Sequence, residues 1–221
     1  MRKMAWEVRD DQVPFKKQYV SIVIILLNVV MFVLQLLDDN FLLEWAFVPA
    51  EFFAGQKLWT IFTSMFMHGG PTHIFFNMLF FYVVADDCES SLGHWYFLFT
   101  YLVSGVVGTL LHALFSFFAP ASLTIPTLGA SGAIAGLIAV YGLLFPRRQL
   151  RVLLGYFLVR LSARRYVLYF AVMQLVFGFL LWDTSATAYF AHLGGLVAGA
   201  ACALIFKAAQ IEPQTTQYST W

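Results

Sequence analysis

The 221-residue chain is 61% hydrophobic and only 11% charged, with a net charge of +1 and a mean hydropathy of +0.77. A soluble domain is about half apolar and a quarter charged, so these figures exclude one and describe a multi-span membrane protein. With so little net charge and no basic patch interleaved with aromatics, nucleic acid is not an expected partner.

Residues 1–18 are polar, carry Arg2, Lys3, Arg9, Lys16 and Lys17, and read as an exposed arm. From Val20 to Leu37 the chain runs 18 residues without a charge, enough to cross a hydrocarbon core of ~30 Å at ~1.5 Å per residue. That run is too long for a signal peptide and lacks a small-residue cleavage site, so it reads as a permanent span. Between 38 and 71, sparse charges (Asp38, Asp39, Glu44, Glu51, Lys57) alternate with Trp45, Phe47, Phe52, Phe53 and Trp59. Such a mixture suits a segment lying at the membrane–water interface.

A second span starts at Pro71, a favoured first-turn position, and runs to about Ala85. Asp86, Asp87, Cys88, Glu89 and Gly93 read as a loop, and Trp95 to Phe118 as a third span. An uncharged loop with Pro120 and Pro126 precedes the fourth span, Ser131 to Phe145, which Pro146 stops. A basic connector from Arg147 to Arg165 leads to a fifth span, Tyr166 to Trp182, and a sixth, Thr187 to Phe206. The expectation is an all-α bundle of six spans in one membrane domain, residues 19–207, followed by a polar cytoplasmic tail at 208–221. No internal repeat and no second domain are expected. Cys88 and Cys202 are too few for a disulfide framework and are expected as free thiols.

Orientation follows from counting. With the N-terminus cytoplasmic, 12 of the 13 Lys and Arg residues lie in cytoplasmic segments and only Lys57 lies outside. The positive-inside rule then puts both termini in the cytoplasm.

Within this topology the polar groups can be ranked by depth. Ser131 is 16 residues from Arg147 and His192 is 15 from Lys207, or ~24 and ~22 Å of helix. His73 is 16 residues from Glu89, and Asn77 is one turn deeper on the same face. Four polar side chains from three helices therefore converge on one level, where polar groups are costly and tend to face one another or a wet cavity. Gly132 and Gly136 on the fourth span, and Gly195 and Gly199 on the sixth, repeat at the four-residue spacing that lets helices approach closely in lipid. Those two helices should touch, whereas the first span has no Gly or Ala from Val20 to Leu37 and should be peripheral.

Serine is a weak nucleophile that needs an adjacent base, and His192 can serve. Ser131 begins a helix whose first N–H groups are unpaired, and Gly129 and Gly132 leave them open. With the Asn77 amide and a His73 N–H they can hold an oxyanion. The set suits acyl transfer to water. The plainer alternatives are a packing serine, a structural histidine, and a His73–Asn77 pair that only pins its helix. Zinc is a rival through His68, His73 and His192, but there is no His-Glu-x-x-His and no carboxylate at that depth. Neither metal nor cofactor is expected. His94 and His112 read as interface or packing residues.

Three motifs in order resemble the rhomboid family of intramembrane serine proteases, over most of residues 45–206. They are His68-Gly69-Gly70-Pro71-Thr72-His73-Ile74-Phe75-Phe76-Asn77, Gly129-Ala130-Ser131-Gly132, and Ala191-His192-Leu193-Gly194-Gly195. Asp86, Glu89 and Gly93 are similar to the family's loop before the third helix. The resemblance implies a Ser131–His192 dyad and an oxyanion hole from His73, Asn77 and the Ser131 amide. His68, Gly129, Gly132, Gly136, Gly195, Gly199 and Glu89 would support them. It also implies a six-helix bundle with its first loop in the outer leaflet, and a fifth helix that gates substrate. The activity implied is cleavage of single-span membrane proteins near the outer face, favouring small residues, with no obligatory partner subunit.

Two positions depart from the family pattern. Trp59-Thr60 stands where Trp-Arg is usual, so the first loop must be anchored differently. Ala135 stands where many members stack a Tyr on the base, which leaves Tyr189 or a water to orient His192. Asp183 lies too far before His192 to complete a triad. The alternative function is a catalytically silent relative that binds or escorts transmembrane clients. A transporter is disfavoured because no inverted repeat is visible.

Overall fold

The computed structural model describes residues 17–38, 40–154, 156–181 and 188–209. Residues 1–16 of the expected 1–18 arm, residues 182–187 with Asp183, and the tail from 210 lie outside the described residues. Nine α-helices are described: α1 (Tyr19–Leu37), α2 (Phe41–Trp45), α3 (Pro49–Phe53), α4 (Thr60–Thr63), α5 (Pro71–Leu92), α6 (His94–Ser116), α7 (Ser131–Leu144), α8 (Ala163–Leu180) and α9 (Tyr189–Ala208). Each of the six apolar stretches falls on one helix. Four of these, α1, α6, α8 and α9, are long and apolar enough to cross a membrane, and α7 is a shorter apolar helix.

Small residues decide what lies inside. Every residue of α7 from Gly132 to Gly142 is buried. A Cβ on Gly195 would overlap the Gly132 carbonyl, and one on Gly199 would overlap the Gly136 carbonyl. The backbones of α7 and α9 therefore touch directly, the close approach that small residues permit in lipid. α6 joins the same seam, since a Cβ on Gly194 would sit 2.8 Å from the Gly108 Cα. α1, with no Gly or Ala, stays peripheral and leaves Val23, Leu26, Leu27 and Val30 exposed, as the sequence leads one to expect.

Two expectations are corrected. Asp86–Glu89 do not form a loop: α5 continues to Leu92 and ends at Gly93, whose φ of 74° suits glycine. Two of the acids, Asp87 and Glu89, are held in the helix by cationic or N–H partners. Glu89 accepts from the Val20 and Ser21 amides at 3.0 and 2.7 Å and so caps α1. It also bonds the Ser21 hydroxyl and His94 Nδ1. Asp87 pairs with Arg148 at 2.7 Å.

The second correction concerns the basic connector, which makes the fold not all-α. It holds an antiparallel hairpin, β1 (Gln149–Leu154) and β2 (Phe157–Ser162). The alternation is the cause, because period-2 patterning suits a strand. Leu150 pairs with Leu161 and Val152 with Val159 on one face, and Arg151 with Arg160 on the other.

The loop between α1 and α5 is anchored by Lys57, which answers the Trp59-Thr60 departure. Its Nζ donates to the Leu43 carbonyl at 2.9 Å and lies 3.7 and 3.4 Å from Glu44 and Glu51. Thr63 Oγ1 donates to the Trp45 carbonyl at 2.8 Å. Phe47 and Thr127 exchange backbone hydrogen bonds of 3.1 and 2.7 Å, and the Gly129 amide donates to Ser64 at 2.9 Å. These bonds tie the uncharged 117–130 loop, and hence the start of α7, to the first loop.

Candidate active site

Ser131 is the first residue of α7, preceded by Ala130, which has no polar side chain to cap the helix. The first-turn N–H groups therefore remain available beside its hydroxyl. Gly129 sits at φ +125°, where a side chain is strained, and a Cβ there would lie 2.9 Å from His73 Cε1. Its glycine identity thus admits the His73 ring to within reach of Ser131.

His192, in the first turn of α9, faces Ser131 across the α7–α9 seam. The hydroxyl donates to His192 Nε2 at 2.7 Å. The Nδ1 of the same ring lies 2.8 Å from Gln174 Oε1, on α8. The Phe170 ring, one turn before Gln174, lies 6.0 Å from the imidazole. The partner of Nδ1 is thus Gln174, while the Tyr189 ring packs on Phe177 at 5.9 Å.

His73 has a defined tautomer. Its Nδ1 accepts the Gly69 amide at 3.1 Å, so the ring proton resides on Nε2, the atom turned toward Gly129. Asn77 spends one amide hydrogen on the His73 carbonyl at 2.9 Å and keeps a second. His68 is buried at 1% exposure, 5.1 Å from the His73 ring. Burial, then electrostatic coupling to the neighbouring His73, lowers its pKa to about 4, so it is a neutral packing ring at pH 7. The Gln35 side chain of α1 holds the His68 backbone at both its N–H and its carbonyl, each at 2.9 Å.

The structure therefore brings together Ser131, His192, His73 and Gly129, with His68 behind them and Asn77 one turn away. Gly132, Gly136, Gly195 and Gly199 form the seam between the two helices. Glu89 lies elsewhere, at the far end of α5, where it caps α1. Sequence reasoning missed Gln174 and Gln35. The signal was present: each is an amide set in an apolar run of its helix, and such groups tend to have a partner. Counting rise from Arg165 puts Gln174 only ~13 Å above the basic connector, well below His192, so depth alone hides it. Chemically, a hydroxyl bonded to one imidazole nitrogen while the other is held can pass its proton to the ring. Among the described residues no group of three His, Cys, Asp or Glu side chains stands where it could hold a metal ion.

A model of the rhomboid domain matches residues 55–209, more than half of the chain. The chain belongs to the rhomboid family. As a rhomboid with apolar helices of spanning length, it is an integral multi-pass membrane protein. It is similar to the rhomboid protease GlpG of Salmonella typhi, 27% identical over 186 residues, 83% of this chain and 61% of that protein. The same values hold for GlpG of Salmonella choleraesuis (strain SC-B67). GlpG of Salmonella newport (strain SL254) is 26% identical over 174 residues, 78% of this chain and 57% of that one. The rhomboid chain thus spans about three fifths of the length of these relatives.

Proposed function

We propose that this protein is an intramembrane serine endopeptidase that cleaves single-span transmembrane proteins through Ser131 and His192. One observation carries the reading: the 2.7 Å bond from the Ser131 hydroxyl to His192 Nε2, across two helices that touch through glycines. Ser131 Oγ attacks the scissile carbonyl as its proton passes to His192 Nε2. The oxyanion forms beside the Ser131 amide, with His73 Nε2–H and the remaining Asn77 hydrogen as further donors. His192 returns the proton to the leaving amine, and water then repeats the sequence on the acyl-enzyme.

The proposed frame is a six-span domain over residues 19–207, with both termini cytoplasmic and the first loop in the outer leaflet. The Lys and Arg distribution supports that orientation. α7 has only 14 residues, ~21 Å of rise, so Ser131 lies beneath the outer surface and water must reach it there. The protease names of the relatives agree with this reading.

The test is a fluorophosphonate probe on the purified protein. Labelling of the intact protein, lost in Ser131→Ala, is the expected result. Labelling that survives in Ser131→Ala removes the assigned nucleophile. An unlabelled intact protein, under conditions that label a rhomboid protease control, favours the client-escort reading.

A further inference from the structure

We propose that Gln174 is a positioning residue for the base. Its carboxamide oxygen accepts the Nδ1 proton of His192 and holds the ring in the tautomer whose Nε2 lone pair faces Ser131. The inference rests on the Ser131–His192 reading and names what that reading leaves open, the group that orients the imidazole where Ala135 is too small to stack on it.

The geometry is that of a three-membered chain. The Ser131 hydroxyl, the imidazole and the Gln174 amide are joined by bonds of 2.7 and 2.8 Å, on three different helices. A neutral imidazole has one N–H and one bare nitrogen. Only the Nδ1–H form leaves Nε2 able to take the serine proton. An oxygen at Nδ1 selects that form, and Gln174, a residue only 8% exposed, supplies one that competes little with water.

The face of α8 turned to α9 is built for this contact. Phe170, Gln174 and Gly178 follow one another at four-residue spacing. Phe170 lies against the imidazole. A Cβ on Gly178 would come within 3.3 Å of Tyr189 Cβ and 3.4 Å of the Phe190 ring. The missing side chain at Gly178 lets the α8 backbone close on the first turn of α9, so that Gln174 reaches the ring. An amide differs from a carboxylate here: it orients His192 without placing a charge in the membrane interior, where a charge is costly. It also offers only a dipole to the imidazolium that forms when the serine proton is taken.

The experiment compares Gln174→Met and Gln174→Glu with the wild type in proteoliposomes, reading kcat, KM, the pH profile of kcat/KM, and the rate of fluorophosphonate labelling. Gln174→Met keeps the volume and loses the acceptor. It should lower kcat by roughly 10- to 100-fold, the scale of a misoriented catalytic group, with KM and the thermal midpoint held. Gln174→Glu restores an acceptor and adds charge. It should recover most of the rate and move the acid limb of the profile to higher pH by about a unit or more, because a carboxylate favours the protonated ring. A Gln174→Met protein within twofold of wild type in kcat and labelling rate overturns the role. So does a loss that tracks the thermal midpoint, or an acid limb unmoved in Gln174→Glu. A wild type whose labelling survives Ser131→Ala instead overturns the underlying dyad.

Discussion

The two ends of α5 carry polar clusters of opposite character. At the Glu89 end, the central carboxylate is used to capacity. The carboxylate accepts two amides, a hydroxyl and an imidazole nitrogen, and its neighbour Asp87 holds Arg148. At the His73 end, hydrogen-bonding capacity is left over. His73 Nε2–H, one Asn77 hydrogen and the first N–H groups of α7 surround a serine whose hydroxyl has a single partner. Saturation makes a staple. Unspent donors, pre-aimed at one point, make a place for charge to develop.

That contrast separates loss of activity from loss of stability, and four substitutions grade it. The largest effect is expected for His192→Ala, a fall in kcat of roughly 10⁴- to 10⁶-fold with the thermal midpoint preserved; a retained rate removes it as base. His73→Ala comes next, lowering kcat by roughly 10²- to 10³-fold, the cost of one oxyanion donor. A pure KM change there would mean that His73 serves binding alone. At the other end, Glu89→Gln should cost about 1–3 kcal/mol of stability by leaving buried donors short of a partner. Turnover per folded molecule stays unchanged. Arg148→Gln is the smallest, at most about 1 kcal/mol, because that pair is partly solvated. Thermal melts of the four proteins set beside their turnover numbers check the series.

Acid should act on the His73 end through its neighbour. His68 has its pKa lowered in the folded protein to about 4, so between that value and 6.5 the unfolded chain binds more protons. Stability therefore falls as pH drops through this window. The thermal midpoint should decline by a few degrees between pH 7 and 5, and His68→Asn should flatten that part of the slope.

Much of this was written in the order of the residues. Hydropathy located the six helical stretches, because a helix in lipid must be apolar along its length. Glycine spacing named the seam, because only small residues let two backbones meet. Rise per residue brought Ser131, His192 and His73 to one depth. Tertiary structure alone decided which neighbour each polar group would find. Gln174 lies on a helix whose charged flank gives a misleading depth, and its approach to His192 depends on Gly178 letting α8 close on α9. In sequence Glu89 reads as loop because its partners, first-turn amides of α1, lie 68 and 69 residues away. Composition and period act locally and are legible in one chain. A hydrogen bond between distant segments exists only once packing has chosen the distance.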